Sequence, residues 1–340
     1  MALFYLFCTL SDFHLSKLGS IGVFSLAAAL FFGVVAFTFR EVDLSHLFSS
    51  TSTVQIFLLL GLGLLFHISF GVIMWMGFWL HYQLKIDKSE IVTLPLMMHL
   101  FLYLMPMKGG MLFQVFYSKH KYNLDLSKGF SLGLMVFLNS IFLTVIVGLA
   151  LAYLIPVQSF ELRFTIILMG IALAGLWATL HVLPSKPRDG DGALNKIINF
   201  FINVQLQLAD QFRNTKLFFG LLISTSVSVT IQAIWFWKTA EVLGVESEFP
   251  SVFLVVLVLR VVLLIRLLPG NLGIQEVMIG VVFSAAGFQL EDGLLIGVIT
   301  RLISVFWSAT IGLPALYSNL KHFDSLSISG LIDKVSKANR

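Results

Sequence analysis

Six stretches of this chain stay apolar over the twenty or so residues that a helix needs to cross a bilayer. They are roughly 18–39, 54–80, 129–155, 164–183, 217–237 and 293–318. Hydrocarbon offers no hydrogen bonds, so each stretch must satisfy its own backbone as a helix. The composition excludes a soluble alternative: 58% of residues are hydrophobic, 12% are charged and the mean hydropathy is +0.93. A soluble domain carries roughly 25% charged residues. The net charge of +4 rests on few charged residues and is no nucleic-acid signature. A single cysteine, Cys8, rules out a disulfide framework and thiolate-pair metal sites. Residues 1–10 are apolar but short and read as an interfacial segment. Asp12 and Lys17 supply no net positive region and no small-x-small cleavage site follows, so 18–39 is expected to be a retained span.

Two further apolar regions are interrupted. Residues 91–105 run into Pro106-Met107-Lys108-Gly109-Gly110 and then a short apolar stretch over 111–117. Residues 252–268 run into Pro269-Gly270-Asn271-Leu272-Gly273 and then 277–288. Proline removes a backbone donor and glycine weakens helix continuity. Both regions therefore read as helices broken near the middle.

The two breaks are copies of one pattern. Pro106 and Gly110 match Pro269 and Gly273 at a spacing of 163. At a spacing of 164, Leu126, Gly129, Gly133, Ser140, Phe142 and Gly148 match Leu290, Gly293, Gly297, Ser304, Phe306 and Gly312. The preceding spans also start 163 apart, at Val54 and Leu217. Duplication explains the shared order, spacing and break.

Loop charge orients the copies, because Lys and Arg gather on the cytoplasmic side. If each broken segment is a re-entrant hairpin, the cytoplasmic pieces are 85–90, 119–128, 184–216 and the tail from 321. Their net charges are 0, +2, +2 and +2. The outer pieces 40–43, 161–163, 238–248 and 291–292 carry −1, 0, −2 and −2. If both segments crossed fully, the two most basic internal loops would fall outside. The hairpin arrangement places both termini in the cytoplasm and inverts one copy relative to the other. Inverted repeats whose broken helices meet near the midplane are a recurring transporter design.

The expected fold is an all-α polytopic membrane protein, with about six full spans and two re-entrant broken-helix hairpins in inverted repeats. Its divisions are an interfacial segment (1–17), an extra first span and outer loop (18–53), and repeat 1 (54–155). A connector (156–216), repeat 2 (217–318) and a cytoplasmic tail (319–340) follow. In the connector Leu194, Ile197, Ile198, Phe201, Val204 and Leu208 recur at helical spacing among Asn and Gln, as in an amphipathic interfacial helix.

Charges at membrane depth face a cavity, a partner or water. The candidates are Lys108, Arg260, Arg266, Glu276 and Arg301. A half-helix starting after Gly110 or Gly273 presents unpaired N–H groups and a positive dipole end suited to a phosphate. Gly270 lies in the second turn. Arg266 and Arg301 can add bidentate contacts to an anion. Glu276 can hold an arginine while the site is empty or receive a cationic group; alternatively Glu276 and Arg301 only neutralise each other and fix packing. Arg260 reads either as part of the site or as snorkelling to the outer interface. Ser304 lies three residues beyond Arg301, on the same helix face. His67, His81, His99 and His181 show no close pairing, so no metal is expected, nor any other cofactor. Trp75, Trp79, Trp235 and Trp237 read as interfacial anchors. Asn139, Ser140 and Thr144 are expected to bond between helices. No hydrolase, metalloprotease or phosphate-loop motif occurs, so enzyme activity is not expected.

The run Leu268-Pro269-Gly270-Asn271-Leu272-Gly273-Ile274-Gln275-Glu276, followed by Thr300-Arg301-Leu302, resembles the transmembrane region of lysylphosphatidylglycerol synthases. That is a family of flippase-like integral membrane proteins with stand-alone members, and the resemblance covers about 18 to 320. The family's first motif is Pro-x-Arg-x-Gly-Glu, then an arginine, with another arginine in the next span. Pro106, Lys108 and Gly110 match it, while Met111, Gln114 and Phe137 stand where the charged residues are expected.

The resemblance implies binding or flipping of a lipid with a charged headgroup, a phospholipid or a polyprenyl-linked carrier, in a prokaryotic cytoplasmic membrane. Lipid aminoacylation is not expected of a chain ending at Arg340. The leading expectation is a lipid translocase working by alternating access, with the headgroup near Lys108, Gly110, Arg266, Gly270, Gly273, Glu276 and Arg301. Arg260, Gln114 and Ser304 are secondary candidates. The alternative is a non-transporting subunit that presents lipid to a membrane-associated glycosyltransferase or synthase.

Overall fold

The computed structural model describes residues 52–104, 109–154, 166–167, 170–171, 193–262, 271 and 273–320. Every regular element among them is helical. The expected span 18–39, most of 164–183, the segment 1–17 and nearly all of the tail lie outside the described residues. So do Lys108, Arg266 and Gly270.

The first described helix, α1 (Thr53–Tyr82), starts at a capping box. The Ser52 hydroxyl accepts from the Gln55 N–H, and the Gln55 side chain accepts from the Ser52 N–H. That closes two of the donors a helix start leaves open. It is followed by α2 (Glu90–Leu104), α3 (Gly109–Tyr122) and α4 (Leu126–Leu154). Helix α5 (Ala193–Arg213) contains the whole amphipathic pattern from Leu194 to Leu208. A second run comprises α6 (Thr215–Val242), α7 (Phe249–Val262), α8 (Ile274–Ala285) and α9 (Leu290–Trp307). Helix α9 continues through a π-helical turn, Ser308–Gly312, into α10 (Leu313–Leu320).

Four helices are long and apolar enough to cross a membrane: Thr53–Tyr82, Leu126–Leu151, Thr215–Val242 and Leu290–Asn319. They cover four of the six expected spans. Their surfaces invert those of a soluble protein. Val54, Phe57, Phe219, Ile223, Leu302 and Leu313 are exposed, while Thr225, Ser228 and Thr239 of α6 are fully buried. Small polar side chains inside and large apolar ones outside suit a lipid solvent.

The two runs correspond in length and packing. Helices α1 to α4 have 30, 15, 14 and 29 residues, and α6, α7 and α8 have 28, 14 and 12 before the 30-residue Leu290–Asn319. Helices α1 and α6 pack side by side. Helix α2 packs on α1, α3 and the π turn, and α7 on α6, α8 and α4. Each short helix thus leans on the closing long helix of the other run. The Thr144 hydroxyl of α4 donates to the Leu257 carbonyl of α7 at 2.9 Å, the interhelical bond expected of that residue. Ser140 and Asn139 instead donate within their own helix.

Helix α7 forms the main core. Val252 and Leu254 through Leu259 are buried on every side, against Phe236, Phe283, Ile296 and Trp235. A helix that is hydrophobic all round is an interior helix. Trp235 is 2% exposed, so it is a core residue rather than an interfacial anchor: its helix face turns toward α1 and α9, where Ile303 lies.

Helix α2 is held by close backbone approaches. Pro95 lies inside it and has no N–H for the Ile91 carbonyl one turn back. Gly71 of α1 fits against that carbonyl; a Cβ there would sit 1.8 Å from its oxygen. Gly110 of α3 approaches the other side, where a Cβ would lie 2.5 Å from the Met98 oxygen. The same helix is tied at its first turn. Glu90, buried, accepts from the Tyr117 hydroxyl at 2.7 Å, from the Tyr122 hydroxyl and from the Lys121 ammonium. Lys121 also reaches Asp87 at 3.4 Å. Burial, then the hydrogen bond to Glu90 and its charge, hold both phenols protonated well above the ordinary tyrosine range. Replacing Glu90 with alanine strands these donors and is expected to destabilise the protein by about 3 kcal/mol. Chemical unfolding in detergent measures this; a change within about 0.5 kcal/mol would show that the cluster does not close α2 onto α3.

Candidate functional site

Helix α8 starts at Gly273, whose φ of 80° is a conformation that side chains rarely adopt. No side chain caps this start, so its first-turn N–H groups and positive dipole end point back toward the break. Asn271, just before it, is buried and also left-handed, at φ 47°. Glu276 lies in the first turn of α8. Opposite, Gly297 lets α9 approach closely: a Cβ there would be 3.3 Å from the Glu276 Cα. Arg301, one turn further along the same face of α9, then meets the carboxylate.

The two charges form an ion pair, with Arg301 Nε 2.5 Å from Glu276 Oε1 and both side chains at most 1% exposed. Arg301 Nη2 also donates to Gln275 Oε1 at 2.9 Å and lies 3.5 Å from the Asn271 carbonyl. One arginine thus reaches three residues of the second break. A lone charge of this kind at the bilayer centre costs about 2.5–3.5 kcal/mol on insertion scales, which explains why acid and base are buried together. The Glu276 carboxylate thus lies between the start of its own helix and the Arg301 guanidinium.

The first run of helices reaches the same place. Tyr103, near the end of α2, has its ring centre 5.9 Å from the Arg301 guanidinium carbon. The chain entering the first break therefore touches the arginine that anchors the second. Gly110 stands at the start of α3, and Gln114 one turn on is fully buried, its Nε2 without a partner among the described residues. Ser304 is buried, but its hydroxyl donates to the Thr300 carbonyl of its own helix.

Arg260 does not snorkel to an interface. Its Nε donates to Gln232 Oε1 at 2.8 Å and its Nη2 to Ser228 Oγ at 2.9 Å, both on α6. Ser69 Oγ of α1 lies 2.9 Å from Ser228 Oγ, and the guanidinium stands over the Phe66 ring at 5.6 Å. Residue periodicity alone missed these partners, as it missed the contact of His67 with His99, whose ring centres are 4.6 Å apart. Polar residues four apart in an apolar span, Ser228 and Gln232, were the available signal.

A cavity of 530 Å³ opens where the first turn of α2, the end of α3 and the π turn meet. Ser89, Thr93, Thr310 and Asn319 line it beside Glu90 and Lys121. Neither Glu276 nor Arg301 lines it.

No curated protein and no solved structure matches the chain significantly. A family model does, that of the lysylphosphatidylglycerol synthase TM region, over residues 23–312. Most of the chain is covered, including both breaks and the Glu276–Arg301 pair, and the protein belongs to the lysylphosphatidylglycerol synthase transmembrane-region family.

Proposed function

We propose that the protein moves a lipid with a charged headgroup between leaflets, by alternating access of two inverted repeats. The observation that carries this reading is the buried Glu276–Arg301 pair set at a helix break, with Tyr103 of the other hairpin beside it. A headgroup phosphate is received at the start of α8, on its positive dipole end, and by Arg301. Lys108, Arg266, Gly110 and Gly270 flank this position in sequence and complete the expected set. The cavity beside Glu90 and Lys121 gives the headgroup access from the cytoplasmic face, between the first hairpin and the last span. The crossed packing of α2 and α7 lets one run rock against the other.

Transport is tested in proteoliposomes carrying a fluorescent phosphatidylglycerol analogue. The protein is expected to speed the exposure of inner-leaflet label to an external quencher; a rate equal to that of empty vesicles would contradict the reading. Inversion is tested apart from transport. In a Cys8→Ser background, Lys121→Cys and Asp292→Cys are expected to label from opposite sides of the membrane, and same-side labelling would refute the arrangement.

A second reading is a membrane subunit that presents lipid to a glycosyltransferase or synthase. The charges missing from the first motif favour it, with Met111, the buried Gln114 and Phe137 where the family carries charges. A tightly co-purifying enzyme together with no transport by the isolated chain would select it.

A further inference from the structure

Glu90, Glu276 and Arg301 are buried charges with an opposite charge beside each. Arg260 has none: among the described residues its contacts are Gln232, Ser228 and the Phe66 ring, all neutral. Its depth makes this costly. Ser228 lies midway along Thr215–Val242, and Ser69 just past the middle of Thr53–Tyr82. The guanidinium is therefore held near the middle of two membrane-length helices.

A structural staple between α1, α6 and α7 needs no charge there. A glutamine, whose amide carries two N–H donors, could serve acceptors of this kind without desolvating a cation. The neutral partners aim the guanidinium, no described residue compensates its charge, and Arg260 keeps part of its surface accessible. Such a group is a vacant half of an ion pair.

We propose that Arg260, oriented by Gln232 and Ser228, is a second anion seat, which takes the phosphodiester of a phospholipid headgroup as it passes the middle of the membrane. The planar guanidinium suits two oxygens of one phosphate. One arginine matches the single negative charge of a phosphodiester, whereas Arg301 is already balanced by Glu276. A zwitterionic lipid brings its own cation and leaves the surplus charge in place, so the seat selects a lipid of net charge −1. The inference rests on the lipid-carrier reading for its ligand class only.

The test is equilibrium binding. Purified full-length protein in detergent is titrated with short-chain phosphatidylglycerol and, separately, short-chain phosphatidylcholine, and binding is followed by thermal unfolding. Wild type is expected to prefer phosphatidylglycerol by about tenfold, the worth of one charge-assisted contact. Arg260→Gln is expected to bring that ratio close to one, and Arg260→Lys, which keeps the charge without the planar fork, to lower it by a few-fold. The ratio is taken within each variant, so a general loss of stability does not mimic the effect. A wild-type ratio near one, or a ratio unchanged in Arg260→Gln, would overturn the proposal. If Arg260→Gln is not recovered folded, an unchanged ratio in Arg260→Lys overturns it equally. Displacement of phosphatidylglycerol by inorganic phosphate would assign the seat to a soluble anion instead of a lipid. A failure of transport in proteoliposomes bears on the carrier reading and leaves this ratio untouched.

Discussion

Arg301→Ala is expected to destabilise the protein by about 3–5 kcal/mol, because it leaves the fully buried Glu276 without its counter-charge. The converse change, Glu276→Ala, strands the guanidinium and is expected to do the same. Removing both charges should behave differently. In Glu276→Leu/Arg301→Met two apolar side chains fill a similar volume, and buried pairs replaced in this way are often neutral to stability. The double variant loses the contacts of Arg301 with Gln275 and Asn271, so it is expected to lie within about 1–2 kcal/mol of wild type. Urea unfolding of the three variants in detergent measures this. Equal losses in single and double variants would show that the pair owes little to mutual neutralisation.

Gly71→Ala is expected to be as damaging without touching any charge. The added methyl would sit 1.8 Å from the Ile91 carbonyl oxygen, and that oxygen belongs to the backbone beside Pro95 and cannot swing away. Helices α1 and α2 must then separate, at a loss of about 3 kcal/mol or more. Gly61→Ala on the same helix is the control. Nothing lies within 4 Å of its Cβ position, so the better helix propensity of alanine should leave stability unchanged or raise it by up to about 1 kcal/mol. Similar losses at both positions would mean that α1 dislikes any change, and that the close approach at Gly71 is not what holds α2.

Much of this architecture was legible in the chain because a bilayer leaves few options. The spans over 54–80, 129–155, 217–237 and 293–318 each match a described helix to within a few residues. The break before Gly273 was visible because Pro269, Gly270 and Gly273 all oppose helix, and the pair of Glu276 with Arg301 because charges are scarce in hydrocarbon. What escaped notice depends on which side of a helix faces inward. In a uniformly apolar span the hydrophobic pattern carries no phase, so Trp235 read as an anchor although it is buried. For the same reason Arg260 had two readings, and only its packing against Gln232 and Ser228 separates them. The meeting of Tyr103 with Arg301 joins residues from the two runs of helices, a contact that helical periodicity does not encode.

The most direct test of the central claim uses the charge-free pair. Glu276→Leu/Arg301→Met, reconstituted at the same protein density as wild type and with its fold verified by unfolding, is assayed for movement of the phosphatidylglycerol analogue. If the buried pair handles the headgroup, the variant is folded and moves lipid no faster than empty vesicles. Movement at the wild-type rate would reduce Glu276 and Arg301 to packing partners and place the headgroup elsewhere in the protein.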